Sequence, residues 1–462
     1  MSIFSILIVT GMVLGLIYFA AQWGDSKAAR TTLKRHSGLI YGLSLGVYFT
    51  SWTFYGAVGS ASIRGWDYLP IYLGPFLAFT VGFPIIRKLV RVGQDYGSTS
   101  VSDFLSYRYG KSASLAAIAS MIALFGALPY IALQLTSIRE SLEAIGIAAG
   151  DGTSATSLIV AVALALFAIV FGASSADVTR HNRGLVLAVA LETVIKLLAL
   201  VLVAGLALLS FGWSPSIETL TAPESALMQD FDVIRFLTIT GLAFTAIFCL
   251  PRQFQVMVVE CQDDKDLRSG RIIMIGALIV TSLVVLPISA AGINLVNGSA
   301  PADMYVLSVP LRLGADVIAM IAFAGGIAAS TGMVLIASLA LSTMITNDHV
   351  RAFQLRLQKG KAAGGLPSAE RQLHLRRVII IGIMTAAYAF SEGVTNANTL
   401  ASLGLLAFAS ASQLGPALFW RLVLVRGKQT RCHRGSRFRL FGLVHSPRVA
   451  GVWHRNLVNN GF

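Results

Sequence analysis

The chain has 462 residues, 55% of them hydrophobic and only 13% charged. A soluble domain carries about 25% charged residues, so this chain has too little charge to coat a water-facing surface, and a purely globular enzyme is excluded. The net charge of +14 does not point to a nucleic-acid partner, because the basic residues gather between apolar stretches, as cytoplasmic loops beside anionic lipid do.

With about 20 apolar residues taken as one crossing, eleven spans are predicted. They lie near 3–22, 38–60, 66–86, 113–138, 155–175, 184–211, 234–251, 272–293, 314–345, 378–391 and 397–420. The first, within MSIFSILIVTGMVLGLIYFA, has no basic residue ahead of it and no clear cleavage site, which favours a retained helix over a signal peptide. Orientation follows the Lys/Arg bias of the loops. With the N-terminus outside, the inner loops 23–36, 87–111, 176–183, 252–271 and 346–377 hold four, five, two, four and seven basic residues; the outer loops hold only Arg64, Arg139, Arg235 and Arg312. The expectation is a multi-pass protein of a bacterial inner membrane, N-terminus outside, with the lipid bilayer as its main partner. Cys249, Cys261 and Cys432 show no metal or disulfide spacing and read as ordinary thiols.

After an extra N-terminal helix and basic loop (residues 1–36), the spans form two groups of five, about 38–211 and 234–420. Five is odd, so the second group sits inverted relative to the first, as in transporters built from inverted repeats. In such folds the first helix of each repeat is unwound at mid-membrane and its freed backbone binds ion and substrate. The sequence offers a break in both places. TSWTFYGAVG (Thr50 to Gly59) carries residues that weaken a helix interior, and FCLPRQFQ (Phe248 to Gln255) carries Pro251, which lacks a backbone donor.

Ionisable groups inside spans are costly and are functional candidates by default. Glu192 and Lys196 are spaced i, i+4, so they share a helix face and could neutralise each other; a structural pair or a snorkelling lysine is the plainer reading. Ser330 and Thr331 put two hydroxyls in mid-membrane, suited to a hard cation such as sodium, although the residues alone favour back-bonding to their own helix. Trp52, Tyr55, Tyr72, Tyr130, Gln134 and Gln253 near the breaks could line a solute pocket, and the aromatics could equally serve packing. The sequence has no GxxxxGK[ST], HExxH or GxSxG, so no catalytic residue is expected.

Several segments then resemble the sodium/solute symporter family, and more closely its relatives forming the N-terminal membrane domain of bacterial sensor histidine kinases. These are YFTSWTFYGAVGSAS with DYLPIYLGP, TSVSDFLSYRYGKS, LPYIALQL, LETVIKLLA, CLPRQFQVMVVECQDD, ASTGMVLIASLALSTMITND and ASLGLLAFASASQLGPALF, spanning about residues 38 to 420. The resemblance implies an all-α five-plus-five inverted-repeat (LeuT-type) fold with one extra N-terminal helix, about eleven transmembrane helices in all. It implies sodium as the one bound metal, held by Ser330 and Thr331 with carbonyls near Gly46, Phe49 and Ile327, and no other cofactor. It places Glu192 where symporters often carry an acid near the ion path. It further implies a small organic solute such as an amino acid, bound as the input of two-component signalling; a kinase output region and response regulator would be partners only in a full-length form. The alternative is a freestanding sodium-coupled transporter. Residues 421–462 hold nine basic residues and no acid; they read as a segment out of frame with the kinase continuation of these relatives or, alternatively, as a basic cytoplasmic tail beside anionic lipid.

Overall fold

In the computed structural model, which describes residues 3–146, 153–172, 182–228, 231–296, 298–351, 369–393, 400–420 and 422, the chain is helical throughout. Its helices are α1 (Ile3–Asp25), α2 (Ala29–Arg35), α3 (Ser37–Ser44), α4 (Ala57–Arg64), α5 (Pro70–Thr80), α6 (Phe83–Tyr96), α7 (Val101–Arg108), α8 (Ala113–Ala144), α9 (Thr153–Gly172) and α10 (Arg183–Phe211). After them come α11 (Trp213–Thr221), α12 (Val233–Cys249), α13 (Pro251–Phe254), α14 (Asp264–Val296), α15 (Tyr305–Arg312), α16 (Asp316–Ile345), α17 (Ala369–Gly393), α18 (Leu400–Ser412) and α19 (Gly415–Phe419). The basic tail lies outside the described residues apart from Leu422.

Among the described residues six helices, α1, α8, α10, α14, α16 and α17, are long and apolar enough to cross a membrane alone. Two further spans are bent pairs, α5 with α6 at 69° and α12 with Pro251–Val259 at 51°; three apolar segments, Ser37–Tyr48, Leu158–Val170 and Leu400–Ser412, are shorter. Each of the eleven predicted stretches is thus largely helical where described, but not each is one straight rod. The third departs most from expectation: it turns at Gly82, and Pro84 opens α6, where a missing N–H removes no helical bond.

Large apolar side chains face outward, such as Leu209 at 89% and Ile234 at 79% exposure, as lipid surroundings allow. Two packing groups meet at the centre. α3, α4, α5 and α12 gather around α14 or one another, while α8, α9, α10 and α17 gather around α16. α1 packs against α10 and α16, so the extra N-terminal helix belongs to the second group.

Both expected breaks are present and share one pattern. α3 tightens into a 3-10 turn at Leu45–Tyr48, Phe49 is extended (φ −76°, ψ 100°), and the chain resumes through a π turn at Trp52–Gly56. α12 stops at Leu250, also extended (φ −64°, ψ 125°); Pro251 starts α13, and a π turn follows at Gln255–Val259. π turns widen the helix locally and gather at functional sites.

Candidate functional site between the two broken helices

A break inside a membrane frees backbone groups that water cannot satisfy, so the protein must supply partners. At the first break it supplies nearly all of them. Phe49 N donates to the Gly46 carbonyl at 2.9 Å, Thr53 Oγ1 to the Thr50 carbonyl at 2.9 Å, and Tyr72 OH to the Thr53 carbonyl at 2.8 Å. Tyr48 OH donates to the Ile71 carbonyl. From α8, Gln134 Oε1 accepts from Ser51 N at 3.2 Å while its Nε2 donates to the Tyr130 carbonyl at 3.0 Å, and Tyr130 OH pairs with Thr50 Oγ1 at 2.8 Å. Tyr72, Tyr130 and Gln134 therefore brace the break with the polar groups that the sequence reading offered to a solute.

The Phe49 carbonyl accepts from Lys196 Nζ at 2.9 Å. Glu192 and Lys196, both buried on α10, do not form the direct ion pair that their spacing suggested. Lys196 reaches across to the first break, while Glu192 turns toward α16: Thr331 Oγ1 stands 3.4 Å from its Oε1, and its Oε2 has no hydrogen-bond partner among the described residues. Gly332 makes room for that carboxylate, since a Cβ there would lie 1.8 Å from Glu192 Oε2. Gly46 likewise lets α3 approach α10, a Cβ there lying 2.3 Å from Thr193.

The oxygens expected to hold sodium are near one another but already engaged. Ser330 Oγ donates to the Gly326 carbonyl at 3.0 Å and lies 2.7 Å from Ser51 Oγ; Thr331 Oγ1 donates to the Ile327 carbonyl at 2.8 Å. The Gly46 and Ile327 carbonyls are thus taken, and the Phe49 carbonyl faces an ammonium rather than an open cage. An ammonium at hydrogen-bond distance from a proposed ligand repels a second cation at the same oxygen. In this conformation the Lys196 ammonium faces the Phe49 carbonyl, and the Ser330 and Thr331 hydroxyls donate to carbonyls of their own helix while keeping oxygen lone pairs that a cation could use.

Trp52 packs edge-on against Phe408, with ring centroids 4.8 Å apart, and fills the space above Gly404. Tyr55 OH points at Gly326 and has no hydrogen-bond partner among the described residues.

The second break is less completely paired. Gln253 is fully buried with neither amide atom hydrogen-bonded among the described residues, and beside it Arg252, only 2% exposed, leaves Nε and one terminal nitrogen without hydrogen-bond partners among them. The Arg252 guanidinium lies over the Tyr130 ring, 4.2 Å from its centroid. Sequence reasoning placed Arg252 in the loop 252–271. Its neighbours held the signal: a basic residue between Pro251, the expected break, and Gln253, a chosen pocket residue, belongs to the break.

An all-α membrane bundle with two matched helix breaks facing a buried polar layer has the fold of a membrane symporter. The fold matches the substrate-bound, outward-open structure of a Na+-coupled sialic acid symporter with a TM-score of 0.67 at 12% identity, over 91% of this chain and 87% of that one. In sequence the chain is 25% identical over 233 residues to the uncharacterized symporter YodF of Bacillus subtilis (strain 168). That match covers 48% of this chain and 45% of the relative, so the chain spans less than half the length of the curated protein it matches. No family model matches.

Proposed function

We propose that the chain is a freestanding secondary transporter of the sodium/solute symporter family, which moves a small organic solute across a membrane by alternating access. What carries the reading is the pair of broken helices set against buried Glu192, Lys196 and Arg252 in a fold shared with a Na+-coupled symporter. Such charges are expensive in a membrane, about 2.5–3.5 kcal/mol each on insertion scales, and persist where a transport path uses them. The sensor-input reading rests on residue resemblance alone, and both matching proteins are described as symporters; kinase and response-regulator partners are therefore set aside. No catalytic step is assigned. The Lys/Arg bias of the loops supports an N-terminus on the outside, and a bacterial inner membrane is the proposed location.

Sodium is the coupling ion of the structural relative. In this chain the locus between the first break and α16 holds the Lys196 ammonium, and no step is routed through sodium. The two helix groups rock about the polar layer, and a solute drives the change only by binding the two states unequally.

The test is uptake by purified protein in proteoliposomes, using pooled radiolabelled amino acids, carboxylates and sugars under an imposed sodium gradient, proton gradient or neither. Accumulation of one pool, lost in a chain carrying Glu192→Ala, is expected. Equal counts in loaded and empty vesicles under every gradient would exclude transport.

A further inference from the structure

A transporter needs a group that holds its solute, and the second break contains one that the protein leaves unsatisfied. We propose that Arg252 anchors the carboxylate of a small anionic or zwitterionic solute, with the Gln253 amide beside it; the proposal rests on the transporter reading and names its substrate class.

Three observations carry it. First, more than about 90% of buried polar groups have hydrogen-bond partners, yet Arg252 Nε, its terminal nitrogen and both amide atoms of Gln253 have none among the described residues. A buried charge without a partner is strongly destabilising, and such strain is retained where a ligand completes the set. Second, Tyr130 holds the face of the guanidinium at 4.2 Å and leaves the N–H edge free. That planar edge matches the two oxygens of a carboxylate. Arg252 also lines a cavity of about 10 Å³ with Tyr130, Leu250, Pro251, Ala337 and Leu341, room for about one water, so a whole solute enters only when the helices part. Third, Lys196 shares the buried layer at the breaks with Glu192 on its own helix and Arg252 from α13. With Lys196 itself, that is one acid against two bases, an excess of one positive charge. A carboxylate cancels the excess, and a sugar or polyol leaves it in place.

The experiment uses the purified full chain in detergent micelles and follows its thermal unfolding with two size-matched pools. One contains short monocarboxylates and α-amino acids; the other contains the corresponding amides, with polyols and sugars. The carboxylate pool is expected to raise the midpoint of the wild type. In Arg252→Gln the response should weaken by about thirtyfold or more in concentration, the range for removing one partner of a buried charge pair, and Arg252→Lys should recover part of it.

Without solute, Arg252→Gln should be at least as stable as the wild type, because an unpartnered charge has been removed. A merely structural arginine would show the reverse. The anchor is overturned by a response confined to the neutral pool, by equal carboxylate responses in wild type and Arg252→Gln, or by no carboxylate response. A neutral-pool response would leave the transporter reading standing. Carboxylate binding in micelles without accumulation in vesicles would instead remove the transporter reading and keep the anchor.

Discussion

The two helix breaks follow the same backbone pattern, one extended residue and then a π turn, but differ in what surrounds them. Around Phe49 the freed groups are paired by Tyr48, Tyr72, Tyr130, Gln134 and Lys196. Around Leu250 the backbone is closed by its own turns, Leu250 N donating to Ala246 and Phe254 N to Leu250, while Arg252 Nε, one of its terminal nitrogens and both Gln253 amide atoms have no hydrogen-bond partner among the described residues. The first break is a joint braced by side chains, with a built-in cation. The second keeps donors in reserve, which is what a binding site requires. Equal backbone geometry therefore does not imply equal function; the side chains converging from other helices set the difference.

The largest effect that would break this comparison comes from Lys196→Met. It removes the ammonium from the Phe49 carbonyl and leaves Glu192 uncompensated, with an expected cost of about 3–5 kcal/mol read from unfolding in detergent. Adding Glu192→Gln should recover much of that loss, so the double-mutant cycle should show strong coupling. If Lys196 is the resident cation, the midpoint of the wild type should also be unchanged on exchanging potassium for sodium. A sodium-dependent rise would reopen the metal reading.

Next in size is Gly332→Ala. Its new Cβ must displace Glu192 Oε2, an overpacking cost of about 1–3 kcal/mol; unchanged stability together with unchanged uptake would show that the carboxylate is free to move.

Tyr72→Phe sharpens the comparison by unbracing the first break alone. It leaves the Thr53 carbonyl buried without its donor, at about 1–3 kcal/mol, whereas the carboxylate response at Arg252 should be untouched. Loss of both together would mean that the breaks work as one unit.

The smallest effect lies outside the membrane segments and depends on pH. Glu260 follows the second π turn; burial pushes its carboxyl up to about 7, against hydrogen bonds from Asn182 N and Gln255 Nε2 that favour the charged form. Its folded pKa exceeds the unfolded value, so its stabilising share is fully present below about 4.5 and is lost as pH rises through about 7. Glu260→Gln should therefore raise the midpoint at pH 8 relative to wild type and change it little at pH 5. At the same end of the bundle, the Asp264 carboxylate accepts hydrogen bonds from Arg87 and Arg268. That pair is solvent-exposed, and Arg87→Ala should cost less than about 1 kcal/mol.

The membrane class, the positions of the helices and both breaks were legible from composition and local chemistry. Hydrocarbon length sets how many apolar residues recur together, and Pro251 or the Thr/Ser/Gly run near Thr50 disfavours a continuous helix wherever it folds. The choice of buried polar residues was legible too, because charges and hydroxyls stand out in an apolar text. Their partners were not. The i, i+4 spacing joined Glu192 to Lys196, yet Lys196 lies 2.9 Å from a carbonyl 147 positions away. Ser330 and Thr331 looked like sodium ligands, and their hydroxyls bond to their own helix. Arg252 counted as a loop residue and is buried over Tyr130. Helix formation depends on neighbours in the chain, so the sequence by itself determined the spans and the breaks; which oxygen faces which cation depends on side chains brought together from distant helices, and only the tertiary structure decided that.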